Sequence, residues 1–170
     1  DAAAIDASAQ IGAVCSEWAR AAGVALGEHS ALQVELVAQP LGALFDAEHL
    51  RRVLVNLLDN ARRYASGAPG AILVRLQTGD DPAGPVALSV LSDGAPIAAD
   101  VEPYLFEPFF STRSRGTGLG LYICRELCER YGARIDYRLL PAGEPRRNDF
   151  FVEMRRGILQ PAETRLHLTS

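Results

Sequence analysis

The sequence predicts a two-layer α+β sandwich with its helices on one face of the sheet, on three observations. Strand-like and helix-like stretches interleave without the regular alternation that builds a parallel sheet. Two segments, "AEHLRRVLVNLLDNARRYA" after Asp46 and the stretch 118–131, hold helical periodicity over several turns. Two pairs of apolar runs, 71–77 with 86–91 and "ARIDYRLL" with "DFFVEMR", are each joined by polar, turn-rich residues, as hairpins are.

In chain order, "IDASAQIGAVCSEWARAAG" sets Ile11, Val14, Cys15 and Trp18 at helical spacing and stops at Gly23. That helix is expected to pack on one edge of the core. "LQVELV" (32–37) and "ALF" (43–45) read as short strands separated by Pro40 and Gly42. Asp46 is a good N-cap for the longest helix, which runs to the breaker at 66–70. The stretch 98–117 is irregular and mixes prolines, aromatics and arginines. The helix over 118–131 is closed by Gly132, a residue suited to the left-handed conformation of a helix end. One domain is expected over 1–156, its first residues leading in from a preceding segment, with 157–170 as a flexible tail.

Bulk composition narrows the partners. With 170 residues and 48% hydrophobic content the chain can bury one good core. A net charge of -4 gives no general reason to expect nucleic acid. No apolar run reaches the roughly 18 residues of a membrane span. Three cysteines are too few for a disulfide framework. Cys124 and Cys128, four apart on a helix, invite a metal or redox reading, but buried free cysteine ordinarily behaves as a small hydrophobe.

Three local patterns carry chemistry. On a helix advancing about 100° per residue, Asn56 and Asn60 stand about 40° apart, with Arg63 beside them. Leu50, Val53, Leu54, Leu57, Leu58 and Ala61 fill the adjoining arc, so the two amides border the core and need partners. They either cap neighbouring loops or supply neutral oxygen ligands to a hard cation such as Mg²⁺. Next, "RGTGLGL" (115–121) spaces Gly116, Gly118 and Gly120 alternately where a loop becomes a helix. Glycine permits close backbone approach and a helix start favours anions. With Arg113, Arg115 and Thr117 alongside, a polyphosphate is the expected guest. Finally, the apolar run 86–91 ends in Ser92-Asp93-Gly94. Val86, Leu88, Val90 and Ser92 share one strand face and Asp93 points to the other, unless the turn slips by one residue.

Taken in order, "NLLDNARRYA", "SDGAPI", "LFEPFFST" and "RGTGLGLYICREL" resemble the N, G1, F and G2 boxes of the catalytic ATP-binding domain of sensor histidine kinases. With flanking strands the resemblance covers roughly residues 8 to 156 and looks most like the nitrogen-regulator and type IV pilus sensor kinase branches. It implies a Bergerat-type sandwich, a mixed, mostly antiparallel sheet backed by helices, with ATP between the long helix and a mobile lid. Carried across, it implies Asn60 as the principal Mg²⁺ ligand and Asn56 assisting at metal and phosphates. Arg63 would reach a phosphate, Tyr64 would pack near adenine, and Gly94 and Ile97 would shape the adenine end. Phe106 and Phe109 would anchor the lid. Gly116, Thr117, Gly118, Leu119 and Gly120, with Leu121 beside them, would line the triphosphate.

Two departures matter. The family's acceptor histidine sits in an H-E-x-x-x-P-like setting, which none of His29, His49 and His167 has. A solvated or capping role is expected for His49. The acceptor would therefore lie on a separate dimerisation domain of the parent, a homodimer attached to the inner membrane. That parent would pass phosphate to a response regulator receiver domain, while the fragment itself would be cytoplasmic and monomeric. Second, the family's G1 pattern, D-x-G-x-G-I, aligns its Asp with Ser92, its second Gly with Pro96 and its Ile with Ile97. Either Ser92 or Asp93 then meets adenine. The alternatives to a histidine kinase domain are a degenerate nucleotide-sensing or interaction module and an anti-sigma-type serine kinase.

Overall fold

The computed structural model describes residues 3–38, 40–110 and 119–161. Its elements in order are β1 (Ala4–Asp6), α1 (Ala7–Ala22), β2 (Leu32–Glu35), β3 (Gly42–Leu44), α2 (Ala47–Tyr64), β4 (Ile72–Thr78) and β5 (Val86–Ser92). A 3₁₀ turn (Glu102–Tyr104), α3 (Gly120–Arg130), β6 (Arg134–Leu139) and β7 (Asn148–Met154) follow.

Caps set the helix ends, Asp46, Gly23 and Gly132 as the sequence leads one to expect and Asp6 in addition. Asp46 accepts from the His49 N–H at 3.0 Å to start α2, and Asp6 accepts from the Ala9 N–H at 3.2 Å to start α1. Gly23, at φ 69°, closes α1 in the left-handed region. Past α3, Gly132 takes φ 67°. The predicted hairpins form: β4 pairs with β5 and β6 with β7, all antiparallel. The five-stranded sheet runs β2-β4-β5-β7-β6, and only the β2–β4 pair is parallel. Strand β7 therefore enters between β5 and β6, which sequence order does not reveal.

The core lies on one face of this sheet. Leu32, Val74, Val90 and Val152 meet Ile11 and Trp18 of α1, Leu50, Leu54 and Leu57 of α2, and Cys124 and Cys128 of α3. Burial pushes all three cysteine thiols up to about 12, so they stay protonated at neutral pH. Among the described residues no cluster of metal-ligating side chains occurs, and Cys124 and Cys128 act as core hydrophobes. No helix among the described residues is long and apolar enough to cross a membrane.

Polar contacts tie the first two helices together, among them Gln10 to Ala47 O and the Arg51–Glu17 ion pair. The Trp18 indole N–H donates to Asp59 at 2.8 Å. Trp18→Phe should cost about 1–2 kcal/mol, the worth of that bond plus a small packing loss. Thermal denaturation reads it as a lowered Tm.

Three local expectations need amending. The short β1 is absent from the sequence reading because three residues carry no period. It pairs with β3, whose other side takes the chain's exit: the Leu44 N–H donates to Arg155 O at 2.9 Å and the Gly157 N–H to Gly42 O at 3.1 Å. Gly157, expected in the tail, is thus packed into the small sheet, whereas Ile158 is 88% exposed. His49 is only partly solvated, with 32% of its side chain exposed, and its ring Nδ1 bonds the Tyr131 hydroxyl, because α2 and α3 pack side by side. His167 lies outside the described residues.

Candidate active site

Helix α2 organises the site because its polar stripe steps from Asn56 to Asn60 to Tyr64, one turn at a time. At about 1.5 Å per residue the stripe spans about 12 Å, the scale of an elongated phosphorylated ligand. Asn56 and Asn60 are half-buried, whereas Arg63 and Tyr64 are exposed. The sequence arc is reproduced: Leu50, Val53, Leu54, Leu57, Leu58 and Ala61 are buried next to it.

At one end of the stripe, the Asn56 side-chain N–H points to Gly120 O at 3.5 Å. This contact sets Asn56 against the start of α3. Leu119, the N-cap, makes no side-chain capping bond, so no side chain among the described residues is shown capping the first turn of α3, whose N–H groups stand in a field that favours negative charge. Leu119, Gly120 and Leu121 are all half-buried there. The remaining predicted phosphate residues, Arg113, Arg115, Gly116, Thr117 and Gly118, lie outside the described residues.

The donor set at this end consists of neutral amide oxygens beside a helix N-terminus. It fits a hard cation that keeps most of its ligands as water and phosphate oxygen, Mg²⁺ above all, better than a soft metal.

At the other end, β5 delivers the turn 93–97 against the last turn of α2. A Cβ on Gly94 would stand 2.8 Å from Tyr64 O and 3.1 Å from its carbonyl carbon. Only glycine permits that approach. Ser92 is 6% exposed and shares the helix-facing side with Val90. Asp93 faces elsewhere: its carboxylate accepts from the Ser66 N–H at 2.9 Å and the Ser66 hydroxyl at 2.5 Å. Asp93 therefore ties the α2–β4 loop to the end of β5.

Ile97 is half-buried against the core. Of the two rings expected to anchor a lid, Phe106 packs edge-on to Phe150 with centroids 6.3 Å apart. Phe109 is 62% exposed, with its backbone at φ 61° in the left-handed region. Beside it Tyr104 stacks on Phe110 at 5.8 Å.

Sequence reasoning missed three side chains that shape this site: Ser66, Tyr137 and Asn148. Ser66 reads as part of a breaker. Tyr137 and Asn148 sit in strands with no motif around them, and the one available signal is a polar group on a buried strand face, which demands a partner.

Comparison with known proteins shows the family and the fold. Residues 45–157 match the family of histidine kinase-, DNA gyrase B-, and HSP90-like ATPases. The chain is 46% identical over 114 residues to the sensor protein kinase PilS of Pseudomonas aeruginosa, covering 66% of this chain and 22% of that protein. It is 31% identical over 131 residues to the sensory histidine kinase/phosphatase NtrB of Rhodobacter capsulatus, covering 72% and 37%. It thus spans only about a fifth to two-fifths of the length of these relatives. Among solved structures, the nucleotide-free catalytic domain of the histidine kinase ThkA superposes with a TM-score of 0.71 at 27% identity, covering 92% of this chain and 97% of that one. With two-thirds of its length inside the matched family and the same sheet and helices, the chain belongs to the histidine kinase-, DNA gyrase B-, and HSP90-like ATPases, as an ATP-binding catalytic domain of the sensor histidine kinase type.

Proposed function

We propose that this domain binds Mg-ATP and offers the γ-phosphate to a histidine on a separate dimerisation and phosphoacceptor domain. The observation that carries the reading is the reach of α2, which brings Asn56 to the start of α3, with Asn60 one turn along the same stripe, and Tyr64 to the Gly94 turn. Phosphates belong at the first end and the base at the second.

Asn60 and Asn56 would hold Mg²⁺ through their amide oxygens, and the ion would neutralise phosphate charge. The first-turn N–H groups of α3 bind phosphate oxygens, and Arg63, exposed on the same stripe, reaches toward them. Asn56 has no basic atom with which to take a proton from water, so hydrolysis lacks a general base at this position. Transfer between bound groups depends mainly on positioning and charge neutralisation, which these residues supply. The parent protein would be a membrane-attached homodimer handing the phosphate to a receiver domain, with this unit running from the first residues to about 156 on its cytoplasmic side.

Mixing the chain with a phosphoacceptor hairpin domain and labelled ATP tests the reading. Acid-labile label on that domain is expected. Acid-stable label would mean a serine kinase, and none despite tight ATP binding would mean a nucleotide sensor.

Ser92 is the residue we assign to the adenine amino group, since both oxygens of Asp93 are engaged by Ser66. A neutral acceptor contributes less than an ionised one. Ser92→Asp should therefore tighten Mg-ATP binding by up to about tenfold. Asp93→Ala should leave affinity within about twofold while lowering stability by about 1–2 kcal/mol. Calorimetry and thermal melts check both, and a large loss of affinity in Asp93→Ala rules the assignment out.

A further inference from the structure

Tyr137 and Asn148 belong to no motif, yet they hold the backbone of the turn 94–97 at three points. Asn148, 4% exposed, lies directly across from Ser92 on β7. Its side-chain N–H groups donate to Gly94 O at 2.8 Å and Ala95 O at 3.1 Å. Its amide oxygen accepts from the Tyr137 hydroxyl at 2.5 Å. That hydroxyl in turn accepts from the Ile97 N–H at 3.3 Å.

Every bond in this chain has one allowed direction. Carbonyls only accept and backbone N–H groups only donate, so the amide orientation of Asn148 and the proton position of Tyr137 are fixed by their neighbours. The hydroxyl must stay protonated to donate to Asn148, and burial pushes Tyr137 above its usual value of 10. The ring is held separately, against Phe150 with centroids 5.0 Å apart. Packing and hydrogen bonding can therefore be separated by mutation.

We infer that Tyr137 and Asn148 are positioning residues for the base end of the site, acting through the backbone of Gly94, Ala95 and Ile97 without touching the nucleotide. This rests on the proposed nucleotide reading. This turn has one glycine fewer than the family pattern, with Pro96 at the second Gly position, and nothing else among the described residues ties the Gly94 and Ala95 carbonyls down. With their partners removed, the carbonyls turn to water and Gly94 loses its seat against Tyr64. The base then meets a loose wall while the phosphate end, held by α2 and α3, is unchanged.

The test is Tyr137→Phe in the full chain, which keeps the ring and deletes the hydroxyl. Asn148→Asp, nearly isosteric, keeps an acceptor for Tyr137 and deletes the donors to Gly94 and Ala95. Binding of Mg-ATP and of Mg-tripolyphosphate is measured by calorimetry or displacement, with a thermal melt for each variant. Mg-ATP affinity is expected to fall about three- to tenfold in Tyr137→Phe and at least as far in Asn148→Asp. Tripolyphosphate affinity should hold, so the ratio of the two collapses. A folded variant with an unchanged ratio overturns the inference alone, as does an equal loss for both ligands, which marks a merely structural role. If the unaltered chain fails to bind Mg-ATP, the nucleotide reading falls and this inference with it.

Discussion

Asn60→Ala should lower Mg-ATP affinity and phosphoryl transfer by at least about 100-fold, since even residues that only orient a metal's ligands are worth 10–100-fold. Stability should not follow. Asn60 is half-buried on the polar stripe and the core beneath it is filled by Leu57 and Ala61, so truncation opens no cavity. Alanine is also the better helix former, by up to about 0.7 kcal/mol. A Tm equal to or slightly above the parent's, together with lost calorimetric binding, is the expected pair of results. A coincident fall in Tm would mean that Asn60 serves the fold, and an unchanged affinity would remove it from the metal end.

Gly42→Val should have the largest effect on stability. A Cβ at this position would lie 2.1 Å from Gly157 O and 3.3 Å from the Leu159 side chain. The first contact is with backbone, which no rotamer change relieves. The exit strand must move away from β3, breaking the Gly157–Gly42 and Leu44–Arg155 bonds. A loss of about 3 kcal/mol is expected from overpacking alone, lowering Tm by roughly 6–12 °C. Gly79→Ala is the control, because nothing lies within 4 Å of its would-be Cβ. It should stay within about 0.5 kcal/mol of the parent. Since β3 leads straight into the Asp46 cap of α2, Gly42→Val should weaken nucleotide binding as well. That secondary loss should be recovered on cooling, when the folded population returns.

What could be read from the chain was whatever a single element settles within itself. The reach of α2, its Asp46 cap and the placing of Asn56 and Asn60 beside the core arc all follow from a 3.6-residue period and one capping side chain. The β4–β5 and β6–β7 hairpins follow from apolar runs joined by turn-rich residues. Strand parity alone put Ser92 on the helix-facing side. The structure agrees at each of these points.

The rest depends on packing in three dimensions. Parity separates Asp93 from Ser92, but only the packing of the α2–β4 loop gave it Ser66 as a partner, 27 residues distant. Phe106 and Phe109 look equivalent in "LFEPFF", and contact with Phe150 on β7 separates them. The clamp on the turn 94–97 exists because β7 inserts between β5 and β6, setting Asn148 opposite Ser92 and bringing Tyr137 within reach. Gly42 and Gly157, 115 residues apart by position, matter only because entrance and exit meet on β3. The helix that carries the asparagine amides and the family to which the chain belongs are legible along the chain, since periodicity, caps and ordered motifs are local. The partners of Asp93, His49, Tyr137 and Asn148 came from strand order and helix packing, where a hydrogen bond is set by distance in space and leaves no period in the chain.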